Sequence, residues 1–136
     1  MKRNKTTQEK ADSIIGRITA TTDYAALKDV DLIVEAVFED SNLKAKITEM
    51  GEAVIGEKAI FGSNTSTIPI SDLAKASKRP ENFIGIHFFS PVHKMMLVEI
   101  IKGEKTSDYA ISRAIDYVTR IRKVPIVVED LSLIHI

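Results

Sequence analysis

The chain has 136 residues with 19 basic and 19 acidic side chains, so its formal net charge at neutral pH is zero. This balance lacks the basic excess of a nucleic-acid-binding protein, and the absence of cysteine excludes disulfides, thiolate metal sites and cysteine nucleophiles. The composition, 44% hydrophobic and 28% charged, is typical of one globular domain. No apolar run is long enough to cross a bilayer, and the lack of cysteine suits a reducing compartment, so we expect a cytoplasmic location.

The first third of the chain predicts a short helix followed by a buried strand. A capping box, with Thr6 as the N-cap and Glu9 three residues later, predicts a helix over 7–16. A β-branched run at 18–22 predicts a short strand. The nearly continuous apolar run at 31–38 indicates a strand that is covered on both faces.

Helices and strands alternate through the rest of the chain. N-cap residues at 40–42 precede a predicted helix. Its predicted apolar face consists of Leu43, Ile47, Met50, Val54 and Ile55. The later predicted elements are strand 59–63, helix 70–77, strand 83–89, strand 96–101, a helix that begins at Ser107 or Asp108, and strand 124–128. This alternation predicts an α/β fold with a mostly parallel sheet.

The strands at 83–89 and 96–101 differ from the others because a loop of about six residues joins them. Such a loop is too short for a helical crossover, so the two strands are predicted to be antiparallel neighbours. A turn centred near residue 93 makes the numbers of facing residues sum to about 186, which places His87 opposite Glu99. Each side chain lies in an apolar run and needs a partner. A His–Glu pair fixes the tautomer that a general base requires, but the residues alone favour catalytic and structural roles equally.

The sequence contains no phosphate-binding or metal-binding motif. None of the six glycines forms G-x-G-x-x-G. Gly51 and Gly56 have the outer spacing of a P-loop, but Glu57 stands where the lysine is required. His87 and His93 form no H-E-x-x-H pattern, and no metal site is expected.

Polar residues follow two predicted strands at the edge of the sheet where α/β proteins bind ligands. Glu35 and Glu39 end the strand at 31–38, and the small polar run 63–66 ends the next strand. A solvated loop charge or a helix cap would explain each of them equally well. Lys44 lies in the first turn of a helix, where cations are disfavoured, and this mildly favours a ligand role over an ordinary surface charge.

Four ordered segments together carry a resemblance to a known family. They are DLIVEAVFE at 31–39, SNTS at 63–66, HFFSPV at 87–92 and LVEII at 97–101. They resemble the NAD-binding domain of the 3-hydroxyacyl-CoA dehydrogenases, and most closely the dehydrogenase part of the multifunctional fatty-acid oxidation proteins. The resemblance implies a Rossmann-like fold, a 3-hydroxyacyl-CoA substrate and NAD as the cofactor. The implied reaction is oxidation of an L-3-hydroxyacyl-CoA to the 3-ketoacyl-CoA in fatty-acid β-oxidation.

The same resemblance implies roles for individual residues. His87 would be the base that takes the hydroxyl proton, and Glu99 would orient it. Ser66 would contact the substrate hydroxyl. The residues that would line the cofactor side are Val37, Phe38, Glu39, Lys44, Ser66 and Ser90. The parent protein would be a homodimer or part of a multifunctional β-oxidation complex.

Departures from the family pattern predict that the chain is a piece of a larger dehydrogenase. The first βαβ unit, which carries the glycine-rich turn, is missing from these residues. We therefore expect 1–130 to be an N-terminally truncated NAD-binding domain that is inactive by itself. After Asp130 the family continues through a Pro-Gly or Ala-Gly turn into a helical domain. Residues 131–136 instead resemble a translated sequencing-adapter end, and we predict that they are not native.

The sequence is also compatible with two other functions. One is a non-catalytic interaction module that kept the sheet and lost the cofactor. The other is a different hydroxy-acid dehydrogenase on a similar fold, which predicts a lysine base where this chain offers a His–Glu pair.

Overall fold

The computed structural model describes residues 6–130, which form a five-stranded sheet with helices on both faces. The strands, in chain order and in spatial order, are β1 (Leu32–Glu35), β2 (Ile60–Ser63), β3 (Phe83–Phe88), β4 (Leu97–Lys102) and β5 (Val124–Glu129). Three of the four neighbouring pairs are parallel, and β3 with β4 is the antiparallel pair. The predicted α/β fold with a mostly parallel sheet is therefore confirmed. The 131–136 segment, for which a non-native origin is predicted, lies outside the described residues.

The register between β3 and β4 is the one predicted from the sequence. His87 faces Glu99, and Gly85 faces Ile101, so the numbers of facing residues sum to 186. The short connection fixes this register because a hairpin of given loop length can pair only one set of residues. The two polar side chains consequently lie side by side on the same face of the sheet.

Residues 6–130 contain four helices, and all but the first connect two strands. They are α1 (Gln8–Ile15), α2 (Ser41–Glu52), α3 (Ile70–Leu73) and α4 (Asp108–Arg120), with short 3₁₀ turns at Tyr24–Leu27, Ala74–Ala76 and Pro80–Asn82. Side chains cap the three longer helices: Thr7 accepts from Lys10 N, Asp40 from Leu43 N, and Ser107 from Ala110 N. Within residues 6–130, no helix is long and apolar enough to pass through a membrane.

Two predictions in the first third of the chain are wrong. The N-cap of α1 is Thr7 and not Thr6, because the Thr7 side chain accepts the hydrogen bond from Lys10 N, 3.3 Å away. The β-branched run at 18–22 forms no strand. Its residues are exposed and no described strand lies beside it. The segment therefore has no neighbouring strand with which to form backbone hydrogen bonds, whatever its β propensity.

The predicted apolar face of α2 is correct only in part, because Ile47, Val54 and Ile55 pack in the core but Met50 does not. The helix ends at Glu52, so Val54 and Ile55 follow it, and Met50 is exposed. Its buried side chains include Lys44 and Thr48, and Gly51 packs against the sheet. A Cβ atom on Gly51 would lie 2.8 Å from a ring carbon of Phe61, so the close approach of α2 to β2 requires the glycine.

The sheet carries a hydrophobic layer on each face. The layer under α4 consists of Ile60, Ile84, Ile86, Val98 and Ile100 with Ala110, Ala114 and Val118. The opposite layer consists of Ile55, Ala59, Phe61, Ile70, Leu73 and Phe83. Successive strand residues point to opposite faces, so one short strand contributes to both layers. Because both faces of the sheet carry packed side chains, the sheet holds the carboxyl ends of β1, β2 and β3 in fixed positions along one edge.

Candidate functional site

Three segments that are distant in sequence meet at one edge of the sheet. Glu35 is the last residue of β1, Ser63 is the last residue of β2, and His87 is the penultimate residue of β3. These three strands are parallel neighbours, so their carboxyl ends lie together. Ligands of open α/β sheets bind beyond such ends, and this edge is the candidate site.

His87 is hydrogen-bonded on both ring nitrogens. Its Nδ1 lies 2.8 Å from Oε2 of Glu99, and its Nε2 lies 3.2 Å from Oγ of Ser66. The ring is buried, whereas Ser66 is exposed. An ionised carboxylate can only accept, so Nδ1 carries the proton and Nε2 presents its lone pair to the Ser66 hydroxyl. The predicted pairing of His87 with Glu99 is confirmed. Ser66, His87 and Glu99 form a hydrogen-bonded row with the imidazole in the middle.

The turn that carries Ser66 is anchored on one carboxylate oxygen of Glu39. This Oε1 accepts from the Thr65 hydroxyl at 2.5 Å and from the backbone N–H of Ser66 at 2.9 Å. It also accepts from the backbone N–H and the hydroxyl of Thr67, both at 3.1 Å. The Ser66 side chain takes no part in this anchor and is free to contact His87. The roles of Thr65 and Thr67 were not predicted from the sequence.

These hydrogen bonds keep Glu39 ionised. Burial by itself raises the pKa of this carboxyl group, but the bonds from Thr65, Ser66 and Thr67 outweigh burial and lower the pKa from 4.5 to about 2. A folded-state pKa below the unfolded value stabilises the fold above about pH 4.5. That contribution is lost as the pH falls from about 4.5 towards about 2.

We expect the E39Q substitution to lower stability at neutral pH and to change it much less near pH 2. The reason is that protonated Glu39 and glutamine are both neutral, so the stabilising charge is missing from both at low pH. Urea unfolding of wild type and E39Q at several pH values between 2 and 7 measures the difference. E49Q, at an exposed position on α2, is the matched control. A difference between wild type and E39Q that does not change with pH would contradict the assignment.

A buried ion pair lies beneath the turn. Lys44 Nζ is 2.9 Å from Oε1 and 3.2 Å from Oε2 of Glu35, and the Lys44 side chain is 1% exposed. The same ammonium donates to the carbonyl of Asn64 at 3.2 Å and lies 3.6 Å from Oε2 of Glu39. Glu35 also accepts from the Ser63 hydroxyl at 2.8 Å. Lys44 and Glu35 are therefore buried charges and not surface charges. Lys44 supports the site by binding Glu35, Glu39 and the carbonyl of Asn64.

Asn64 joins the three strand ends, which the sequence did not predict. Its backbone N–H donates to the carbonyl of Glu35 at 2.7 Å, and its Oδ1 accepts from the backbone N–H of Phe88 at 2.9 Å. Phe88 follows His87 directly. The side chain of Asn64 therefore fixes the end of β3 beside the imidazole.

The remaining predicted residues lie in the segments that follow β1 and β3. Val37 and Phe38 come shortly after the end of β1, with Phe38 86% exposed, and Ser90 is exposed in the loop after β3. Apolar surface beside hydroxyl and carboxylate groups fits a polar aromatic ring with an attached sugar, as in the nicotinamide half of NAD. No group of three or more potential metal ligands occurs among residues 6–130.

The arrangement of Ser66, His87 and Glu99 supports proton transfer better than acyl transfer. Nucleophile, base and orienting carboxylate are in the order that serine hydrolases use. Acyl transfer also needs free N–H donors for the oxyanion. The backbone N–H groups of Ser66 and Thr67 are both occupied by Glu39. A base that removes a proton from a bound hydroxyl needs no such donors.

Comparison with known proteins gives the same family as the motifs. Residues 1–131 match the family model described as 3-hydroxyacyl-CoA dehydrogenase, NAD binding domain. The chain is 52% identical over 130 residues to a fatty acid oxidation complex subunit alpha from Idiomarina loihiensis, and the match covers 96% of this chain and 18% of that protein.

Solved structures show the same fold. The chain is similar to (S)-3-hydroxybutyryl-CoA dehydrogenase PaaH1 from Ralstonia eutropha, with 39% identity and a TM-score of 0.91 over 96% of this chain and 46% of that one. It is also similar to the dehydrogenase part of multifunctional enzyme 1 from C. elegans, with 36% identity and a TM-score of 0.84 over 90% of this chain and 29% of that one. The predicted Rossmann-like fold is confirmed, and the chain spans less than half the length of each of these relatives. It belongs to the NAD-binding domain family of the 3-hydroxyacyl-CoA dehydrogenases.

Proposed function

We propose that this chain supplies the catalytic base and the nicotinamide side of an enzyme that oxidises L-3-hydroxyacyl-CoA to 3-ketoacyl-CoA with NAD⁺. The observation that carries the proposal is the row formed by Ser66, His87 and Glu99 at the carboxyl ends of the strands. Within this family, a base beside an exposed hydroxyl is what oxidation of a secondary alcohol requires. The row contains no lysine, which disfavours the alternative of a dehydrogenase with a lysine base.

His87 does the proton chemistry in this proposal. Its Nε2 accepts the proton of the substrate hydroxyl, while Ser66 donates a hydrogen bond to the substrate oxygen and holds it near the ring. Glu99 keeps the proton on Nδ1 and stabilises the imidazolium that forms. When bound, NAD⁺ would supply the acceptor for the hydride, which leaves the carbon that bears the substrate hydroxyl.

The cofactor would be held on its nicotinamide side by Val37, Phe38, Glu39, Ser66 and Ser90. Lys44 would act through Glu35 and Glu39, because its ammonium is already surrounded by protein oxygens. The glycine-rich turn that binds the pyrophosphate in Rossmann folds is not in this sequence. Residues outside these 136 would therefore hold the adenosine half.

The relatives indicate the setting in which the chain would work. One of them is named as a subunit alpha of a fatty acid oxidation complex. We extend the proposal to a parent protein that acts in β-oxidation in the cytoplasm, as a homodimer or within a multifunctional complex. Residues 1–130 would be part of its NAD-binding domain, and 131–136 would be non-native.

The proposal is tested by the NADH that forms from 3-hydroxybutyryl-CoA. We expect a complete protein containing this chain to reduce NAD⁺ with the CoA thioester and not with free 3-hydroxybutyrate. The 136 residues alone are expected to show little or no activity, since they lack the phosphate-binding turn. Robust activity of these residues alone would contradict the second expectation, and an inactive, folded complete protein would contradict the proposed function.

A further inference from the structure

The loop between β3 and β4 has few contacts of its own. Residues 90–96 are all exposed. Two backbone bonds within the loop, from Lys94 N and Met95 N to the carbonyl of Pro91 at 2.9 and 3.1 Å, give it one helical turn. The loop begins with Ser90, three residues after His87. Its position therefore bears directly on the site, although little inside the loop fixes it.

Lys123 ties this loop to the body of the fold. Its Nζ donates to the carbonyl oxygens of Val92 and Met95, both at 2.6 Å. Among residues 6–130, no other side chain hydrogen-bonds to the backbone of 90–96, and no carboxylate lies within ion-pair distance of Lys123. A charged donor with two carbonyl acceptors makes short, strong hydrogen bonds. The hydrogen bonds of the Lys123 ammonium to protein groups are therefore those to the carbonyl oxygens of Val92 and Met95.

The backbone around Lys123 is fixed by the end of α4. Lys123 N donates to the carbonyl of Val118 at 3.1 Å, and Arg122 N donates to that of Thr119 at 2.9 Å. Arg122 has a φ of 61°, so these bonds form a Schellman motif. Val124 N then donates to the carbonyl of Met96 at 2.8 Å and begins the pairing of β5 with β4. The lysine therefore projects from a rigid junction.

We propose that Lys123 is a positioning residue for the active site: it holds the 90–96 loop, which begins with Ser90, three residues after His87. Its consequence for cofactor binding rests on the proposed function, but its hold on the loop does not. Without the ammonium, the carbonyls of Val92 and Met95 turn to solvent and the loop samples other conformations. Ser90 then spends less time where a cofactor would meet it.

The test compares K123M, K123R and wild type in the complete protein that contains this chain, with K105M at an exposed position as the control. We expect K123M to speed amide exchange of Lys94 and Met95 about tenfold or more, with little change in the core strands. The KM for NAD⁺ should rise about tenfold, while kcat changes less than about threefold. K123R should recover most of both effects, because arginine keeps the charge and the donors.

Each possible outcome decides the inference. Unchanged exchange of Lys94 and Met95 in K123M would overturn it. Faster exchange throughout the sheet, or an equal effect of K105M, would show a general structural role and would also overturn it. Faster loop exchange without a change in KM would overturn the link to cofactor binding. A wild-type protein that forms no NADH would refute the proposed function, while loop exchange would still decide whether Lys123 holds the loop.

Discussion

Replacement of His87 by glutamine is expected to lower the turnover of 3-hydroxyacyl-CoA by about 10³-fold or more, within the range for loss of a general base. Glutamine can still hydrogen-bond to Ser66 and Glu99, but it cannot take up the substrate proton. Steady-state kinetics of NADH formation in the complete protein measure the effect. Urea unfolding of the same variant should show a much smaller change, because the substitution is close to isosteric.

The Glu99 variant separates orientation from proton transfer. E99Q keeps a hydrogen-bonding group 2.8 Å from Nδ1 but removes the charge that stabilises the imidazolium. We expect turnover to fall by roughly 10- to 100-fold or more, because the imidazolium that forms during proton transfer loses its stabilising charge. If turnover is unchanged in either variant, the roles assigned to His87 and Glu99 are wrong.

Replacement of Lys44 by methionine is expected to give the largest loss of stability, about 3–5 kcal/mol, because it leaves the buried carboxylate of Glu35 without its partner. The Glu35 and Lys44 side chains are 0% and 1% exposed, so solvent cannot compensate the remaining charge. Urea unfolding of the described domain within the complete protein measures the change in the free energy of unfolding.

A double substitution distinguishes a buried charge from a simple loss of packing. K44M together with E35Q should recover part of the stability, since no uncompensated charge remains. K46M, an exposed position two residues further along α2, is the matched control and should stay within about 0.5 kcal/mol of wild type. A K44M variant as stable as K46M would show that the pair contributes nothing to the fold.

Local sequence rules were sufficient for the parts of the fold with strong periodicity. The apolar runs at β2 and β3 are buried between the two hydrophobic layers, and such burial leaves a composition that is readable from one sequence. The run at 31–38 was wrongly predicted to be covered on both faces, because β1 spans only Leu32–Glu35 at the edge of the sheet and is largely half-buried. The pairing of His87 with Glu99 was predicted because a short loop fixes the register of antiparallel strands. The same rules failed at 18–22, where β propensity had no neighbouring strand to act on.

The buried face of α2 shows a different reason for failure. Helical periodicity assigned its apolar residues to the core, but the helix buries Lys44 and exposes Met50. The buried ammonium is stabilised chiefly by Glu35, at the end of a strand that precedes the helix, and also by the carbonyl of Asn64. No pattern within α2 contains that information.

The sequence by itself determined the family, the order of the main helices and strands, and the His–Glu pair. These properties depend on local composition and on short-range register, which one chain displays directly. Only the tertiary structure decided that Glu39 anchors the turn of Ser66, that Asn64 joins three strand ends and that Lys123 holds the loop after Ser90. Those contacts join residues 24 to 31 positions apart. Their partners are backbone N–H and C=O groups, which almost every residue provides, so they carry no signal in the sequence.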